Sequence, residues 1–141
     1  MLGNMELQIQ PENGKARIVG ATPEAIESAL REMDTLRFII CSDDSGRYMQ
    51  DNGKVLEYGE NVEGQDTKLY RASTGSVRLH GARPAFLSFL EGTDEWRDLY
   101  PWQDVSGELP TVWGQRLRIA AVVAVILAVL WLFWLLRKLG V

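Results

Sequence analysis

Apolar and polar residues alternate along Glu6-Leu7-Gln8-Ile9-Gln10, the two-residue period of a strand buried on one face. Pro11-Glu12-Asn13-Gly14 is turn chemistry, and Ala16 to Val19 can return as a second strand of a hairpin. After Gly20 the period changes. Ile26, Ala29, Leu30 and Met33 recur at helical spacing and make one apolar stripe. Ahead of them Thr22 suits an N-cap, Pro23 the first helical position, and Glu24 and Glu27 the positive end of the helix dipole. The pattern predicts a helix over residues 23–33.

Short β-rich runs follow: Leu36 to Cys41, Arg47 to Gln50, Lys54 to Tyr58 and Lys68 to Ala72. Ser42 to Gly46 and Asp51-Asn52-Gly53 separate the first three, and Asn-Gly accepts the positive φ angles of a tight hairpin turn. Consecutive strands with short turns predict an antiparallel meander, which commonly packs one face on helices and leaves the other to solvent. Ser73 to Arg83 is ambiguous. Val77 and Leu79 alternate there, and the segment reads either as strand or as loop. From Pro84 the spacing of Phe86, Phe89 and Leu90 is helical again, with Gly92 as a stop and Thr93 placed to cap a short turn through Trp96. Leu99, Tyr100 and Trp102 can then anchor the C-terminal edge of the domain on its core.

The longest apolar run comes last. Ile119 to Leu136 contains no charge, amide, hydroxyl, Gly or Pro. As a helix it spans roughly 27 Å, close to the hydrocarbon thickness of a bilayer. A single uninterrupted helix satisfies its own backbone hydrogen bonds there. Arg116 and Arg118 precede the run and Arg137 and Lys138 follow it, where long cationic side chains reach head groups. Trp113 falls near one interface, and Trp131 and Trp134 near the other. A buried helix of a soluble protein is the alternative, but 141 residues offer little protein to cover such a helix on all sides. Ala120, Ala124 and Ala128 recur every four residues and could allow a close helix–helix contact.

The expected fold class is therefore α+β: an antiparallel sheet of five or six strands with two helices on one face, followed by a single C-terminal transmembrane helix. Residues 1–104 form the soluble domain, 105–115 a linker and 116–141 the anchor. The first fifteen residues hold no apolar core of signal-peptide length, so the domain is expected on the cytosolic side of the membrane. Residues 1–115 carry all nineteen acidic residues against eleven Lys and Arg, a net charge of 11 − 19 = −8. Such acidity argues against a nucleic-acid partner and against lying flat on anionic lipid, and is more compatible with a basic protein partner.

Catalytic and metal chemistry finds little support. His80 is the sole histidine and Cys41 the sole cysteine. One of each falls short of the usual zinc ligand set, and no motif supports a Cys–His dyad. Asp43, Asp44 and Asp51 lack the alternate spacing and closing glutamate of a calcium loop. There is no Gly-rich phosphate loop, so neither an enzyme nor a cofactor is expected. The aromatics bear more on binding. Tyr48, Tyr58 and Tyr70 fall on three separate predicted strands and either project together from one sheet face or serve as ordinary core. Glu91, Asp94, Glu95, Asp98, Asp104 and Glu108 face only Arg97 as a local cation, forming either a solvated rim or a docking surface for a basic partner.

The order of segments ATPEAIESALREMD, LRFIICSDDSGRYMQ, KVLEYGE, KLYRAS, AFLSFLEGTDEW and a final PW resembles the first immunity-protein family of bacterial polymorphic toxin systems and related small bacterial α+β proteins. The likeness covers residues 22–102 and is one of pattern. It implies a bacterial module that binds and blocks a cognate toxin, with Tyr48, Gln50, Glu57, Tyr58, Tyr70, Trp96 and Trp102 at its most recognisable positions; with the apolar C-terminal run, the expected location is the bacterial cytoplasmic membrane. The C-terminal apolar helix departs from the soluble form usual in that family. A small accessory or structural subunit of a membrane complex, held through the helix, is the alternative reading.

Overall fold

In a computed structural model of the chain, the structure describes residues 4–61, 65–109, 122–127, 129 and 131. Two compact units divide at Leu109 and Pro110. In the first, the described residues form a seven-stranded, wholly antiparallel sheet in the order β2-β1-β3-β4-β5-β6-β7. The strands are β1 (Glu6–Pro11), β2 (Arg17–Gly20), β3 (Leu36–Ser42), β4 (Arg47–Asp51), β5 (Leu56–Glu60), β6 (Lys68–Ala72) and β7 (Trp102–Asp104). The α+β class is as expected, but the sheet has seven strands in place of five or six. The added strand is β7, whose three residues are too few to show a period.

Helix α1 (Pro23–Arg31) starts as its sequence predicts, with the Thr22 side chain accepting from the Ala25 N–H and Pro23 in the first turn. It carries the chain from the edge strand β2 past β1 to β3. Between β6 and β7 lie α2 (Thr74–His80), α3 (Arg83–Glu91) and α4 (Glu95–Leu99). The ambiguous segment 73–83 is thus neither strand nor loop but mostly helix. Ser73 caps α2 by accepting from the Ser76 N–H, which offsets the poor helix propensity of Thr74, Gly75 and Val77. Among the described residues of this first unit, four α-helices replace the two expected. Gly92, with φ at 71°, ends α3 in the left-handed conformation that its lack of a Cβ permits. Thr93 does not cap α4 with its side chain; its hydroxyl sits 2.7 Å from that of Ser88 instead.

The helices pack on one face of the sheet. Leu7, Ile9, Ile39, Cys41, Met49, Leu56, Tyr58 and Ala72 point into a core closed by Ile26 and Ala29 of α1, Ala85, Phe86 and Phe89 of α3, and Trp96 of α4. An aromatic group seals one end: Tyr58 lies 4.2 Å from Trp96 and 6.1 Å from Phe89, centroid to centroid, and Trp96 meets Trp102 edge-on at 5.3 Å. Among the described residues every buried side-chain nitrogen or oxygen has a hydrogen-bond partner.

The first residues expected in the linker belong to this unit. Val105 is buried, and beyond β7 the Ser106 hydroxyl accepts from the Leu69 N–H at 2.9 Å, extending the ladder where the strand has ended. In the second unit, 122–127, 129 and 131 are helical. Val122, Val123, Val125, Ile126, Leu127, Val129 and Trp131 all stand exposed. Among the described residues no helix is long and apolar enough to cross a membrane. Most of the expected Ile119–Leu136 span lies outside the described residues, as do Trp113, Arg116, Arg118, Ala120, Ala128, Trp134, Arg137 and Lys138.

Candidate functional site

Side chains alternate across a sheet, so the pairing registers decide which candidates meet. Met49 pairs with Tyr58 and Tyr58 with Tyr70, which puts both tyrosines on the helix-covered face. Tyr48 pairs with Gly59 and emerges on the other side. The three tyrosines therefore do not project together. Tyr58 and Trp96 are buried, and Tyr70 and Trp102 are half-buried against the core, with the Trp102 indole N–H donating to the Trp96 carbonyl at 3.1 Å. Glu95 and Asp98 are exposed on α4, away from the sheet's outer face. Asp94 there accepts from Arg97, whose guanidinium lies 4.5 Å from the Trp96 ring.

The sheet's other face carries the remaining candidates. Tyr48, Gln50 and Glu57 stand on it together with Gln8, Phe38, Ile40, Leu69 and Arg71, because each alternates with core positions along its own strand. Across three strands the registers Gln50↔Glu57 and Glu57↔Arg71 build one polar row. Gln50 Nε2 donates to Glu57 Oε2 at 3.4 Å, and Arg71 Nε donates to Glu57 Oε1 at 2.9 Å. Arg71 Nη2 also reaches Glu108 Oε2 at 3.1 Å. The Glu57 side chain is only 13% exposed, whereas Glu108 is 60% exposed. One guanidinium thus serves two carboxylates, leaving the row with one net negative charge.

Beside the row, the Tyr48 ring lies on Gly59. A Cβ at position 59 would overlap the ring, so the glycine is what lets the phenol settle there. Burial, and then the nearby Glu57 carboxylate, raise the Tyr48 phenol above its ordinary pKa. Half-buried Phe38 and Ile40 continue the apolar part of the surface toward β1. The face combines apolar area, amides and a fixed acid–base row. Such groups can recognise a partner by contact and charge.

Sequence reasoning missed Arg71 and Ile40, and placed Glu108 only in the acidic rim and not beside Glu57. Arg71 occupies a polar position in the Lys68 to Ala72 alternation, but its partner follows only from the β5–β6 register. Glu108 arrives through the turn after β7, 37 residues further along the chain.

Cys41 and His80 are far apart in role. Cys41 is fully buried on β3, and burial pushes its thiol up to about 12, leaving almost no thiolate to attack a substrate. His80 is exposed at the end of α2, edge-on to Tyr100 at 6.1 Å. Among the described residues no group of three His, Cys, Asp or Glu is placed to hold a metal ion. Asp43 is held in a turn, accepting from Ser45 and Arg47. A cleft of about 420 Å³ between the start of α1 and the end of α3 has Glu91 as its one charged lining residue among those described. No protein-family model, no curated protein and no solved structure matches the chain.

Proposed function

We propose that this chain is a membrane-tethered protein-binding module whose open sheet face docks a basic protein. The observation that carries the reading is that face itself: a half-buried apolar and amide surface with one net negative row, set in a domain of strongly acidic composition. Occlusion of a partner's site, helped by charge complementarity, is the mechanism such a surface offers. The resemblance to immunity proteins makes a toxin enzyme the expected partner.

The membrane tether rests on the apolar run from Ile119 to Leu136. Its described residues support the tether: 122–127 wind through more than a full turn and are exposed throughout, Ala124 included. A helix apolar all round its circumference needs a lipid or protein environment. With Arg116, Arg118, Trp113, Trp131, Trp134, Arg137 and Lys138 at its ends, a single span is the arrangement we favour.

Ile40→Arg adds a cation to the open face without touching the core. Isolated from membranes in mild detergent, the full chain should lose its basic partner on this change, while Leu79→Arg, at an exposed site on α2, should keep it. Retention of the partner by Ile40→Arg would remove the open face from the account.

A further inference from the structure

Among the described residues the sheet has two free edges, and they differ. At one edge β7 has three residues, two of them the exposed polar Gln103 and Asp104. At the other, all four residues of β2 are exposed, and its middle pair is apolar: Ile18 is 64% exposed and Val19 41%. An edge strand turns every second residue's N–H and C=O outward, away from its one partner. Natural sheets commonly blunt such an edge by keeping it short, by charged side chains, or with proline, a bulge or an inward charge. β2 is short and carries Arg17, but goes no further. β2 has no proline, and its pairing with β1 runs from Ile9↔Arg17 to Glu6↔Gly20 without interruption.

Only another extended strand satisfies such a row of backbone groups while covering apolar side chains on both faces. We propose that β2 pairs antiparallel with β2 of a second copy, joining two seven-stranded sheets about a two-fold axis. The strand's own sequence suits this. If Ile18 meets Ile18 of the second copy, Arg17 falls opposite Val19. If instead Val19 meets Val19, Ile18 falls opposite Gly20. Neither register opposes like charges, and each brings β-branched side chains together across the junction. Lys15 and Arg17 lie near Glu12 in the sequence, so the junction escapes the net acidity of the rest of the domain. Arg17 is already balanced in part by Glu32, 3.8 Å away. Pairing like edges closes at two copies, whereas joining β2 to a second copy's β7 would leave free edges and grow without limit. Ile18 lies on the same face as Gln8 and Ile40, through the registers Gln8↔Ile18 and Gln8↔Ile40, so the dimer doubles the open face and leaves both copies of it uncovered.

The test is disulfide trapping of the full chain in mild detergent. Ile18→Cys and Val19→Cys are oxidised separately beside Leu79→Cys, an exposed position on α2, and beside the unsubstituted chain with its buried Cys41. A residue that meets its own copy across an antiparallel pair lies within disulfide reach, so one of the two edge variants should give covalent dimer roughly tenfold or more faster than Leu79→Cys. If neither edge variant exceeds Leu79→Cys, the pairing is wrong, including where random or helix-driven encounters link all three equally.

Discussion

Tyr48 and Gly59 form a pair in which each residue explains the other. Without a Cβ at position 59 the phenol occupies the space that a side chain there would fill. Gly59→Ala would drive a methyl group into the ring, and overpacking of this kind costs about 2 kcal/mol. Urea denaturation should show that loss in the native background and much less of it in a Tyr48→Ala background, because the collision is then gone. Equal losses in both would mean that the ring does not rest on the glycine.

Asp51 is the second residue whose surroundings make a prediction. It is 5% exposed, and burial raises its carboxyl pKa, although the Gly53 and Asn52 N–H groups pull the other way. A folded pKa above the unfolded one means that the native state binds more protons in the window between them. Its contribution is therefore full below the unfolded carboxylate range and falls as pH rises through the folded pKa. Asp51→Asn keeps an oxygen for the Gly53 N–H, which Asp51 Oδ1 now accepts at 2.8 Å, and removes the buried charge. The variant should be at least as stable as the parent at pH 7 and should lack the decline in stability between acid and neutral pH. A less stable variant at pH 7 would show that the ionised carboxylate has a favourable role.

Among the elements, the corner between α3 and α4 rests on one hydroxyl. Buried Ser88 accepts from the Trp96 N–H at 3.0 Å and meets the Thr93 hydroxyl, so it stands in for the missing side-chain cap of α4. Ser88→Ala leaves a buried donor unsatisfied and should cost about 2 kcal/mol in thermal or urea unfolding. The tryptophan fluorescence should change as well, since Trp96 heads the aromatic group.

The elements that could be read directly from sequence carried complete local signals. Helix α1 had its cap, its proline and its stripe, and β1 to β6 had their runs and turns. Helix α2 was hidden because Leu79 is 77% exposed and no amphipathic stripe marks the segment; its signals were Ser73 at the start and Gly81 after the end. The open face was half legible. Tyr48, Gln50 and Glu57 could be named as candidates, but parity set Tyr58 and Tyr70 on the opposite side. Parity depends on pairing registers, and a shift of one residue reverses every side chain of a strand. Arg71 and Glu108 were out of reach for the same reason: their meeting is made by tertiary structure.

At the scale of the whole molecule, charge and hydropathy are segregated. The N-terminal part is acidic, and the C-terminal apolar run holds cations at both of its ends. This division suits a domain that recognises its partner through its own face while the helix confines it to a surface. The alternative, in which the helix is itself the interface, would use Ala120, Ala124 and Ala128 and make the sheet face incidental. The two accounts separate in a mild-detergent pull-down of the full chain beside a chain ending at Gly114, with mass spectrometry of what remains bound. Our account predicts the same basic soluble partner with both forms. Partners retained only by the full chain, and themselves membrane proteins, would contradict it and make the helix the functional interface.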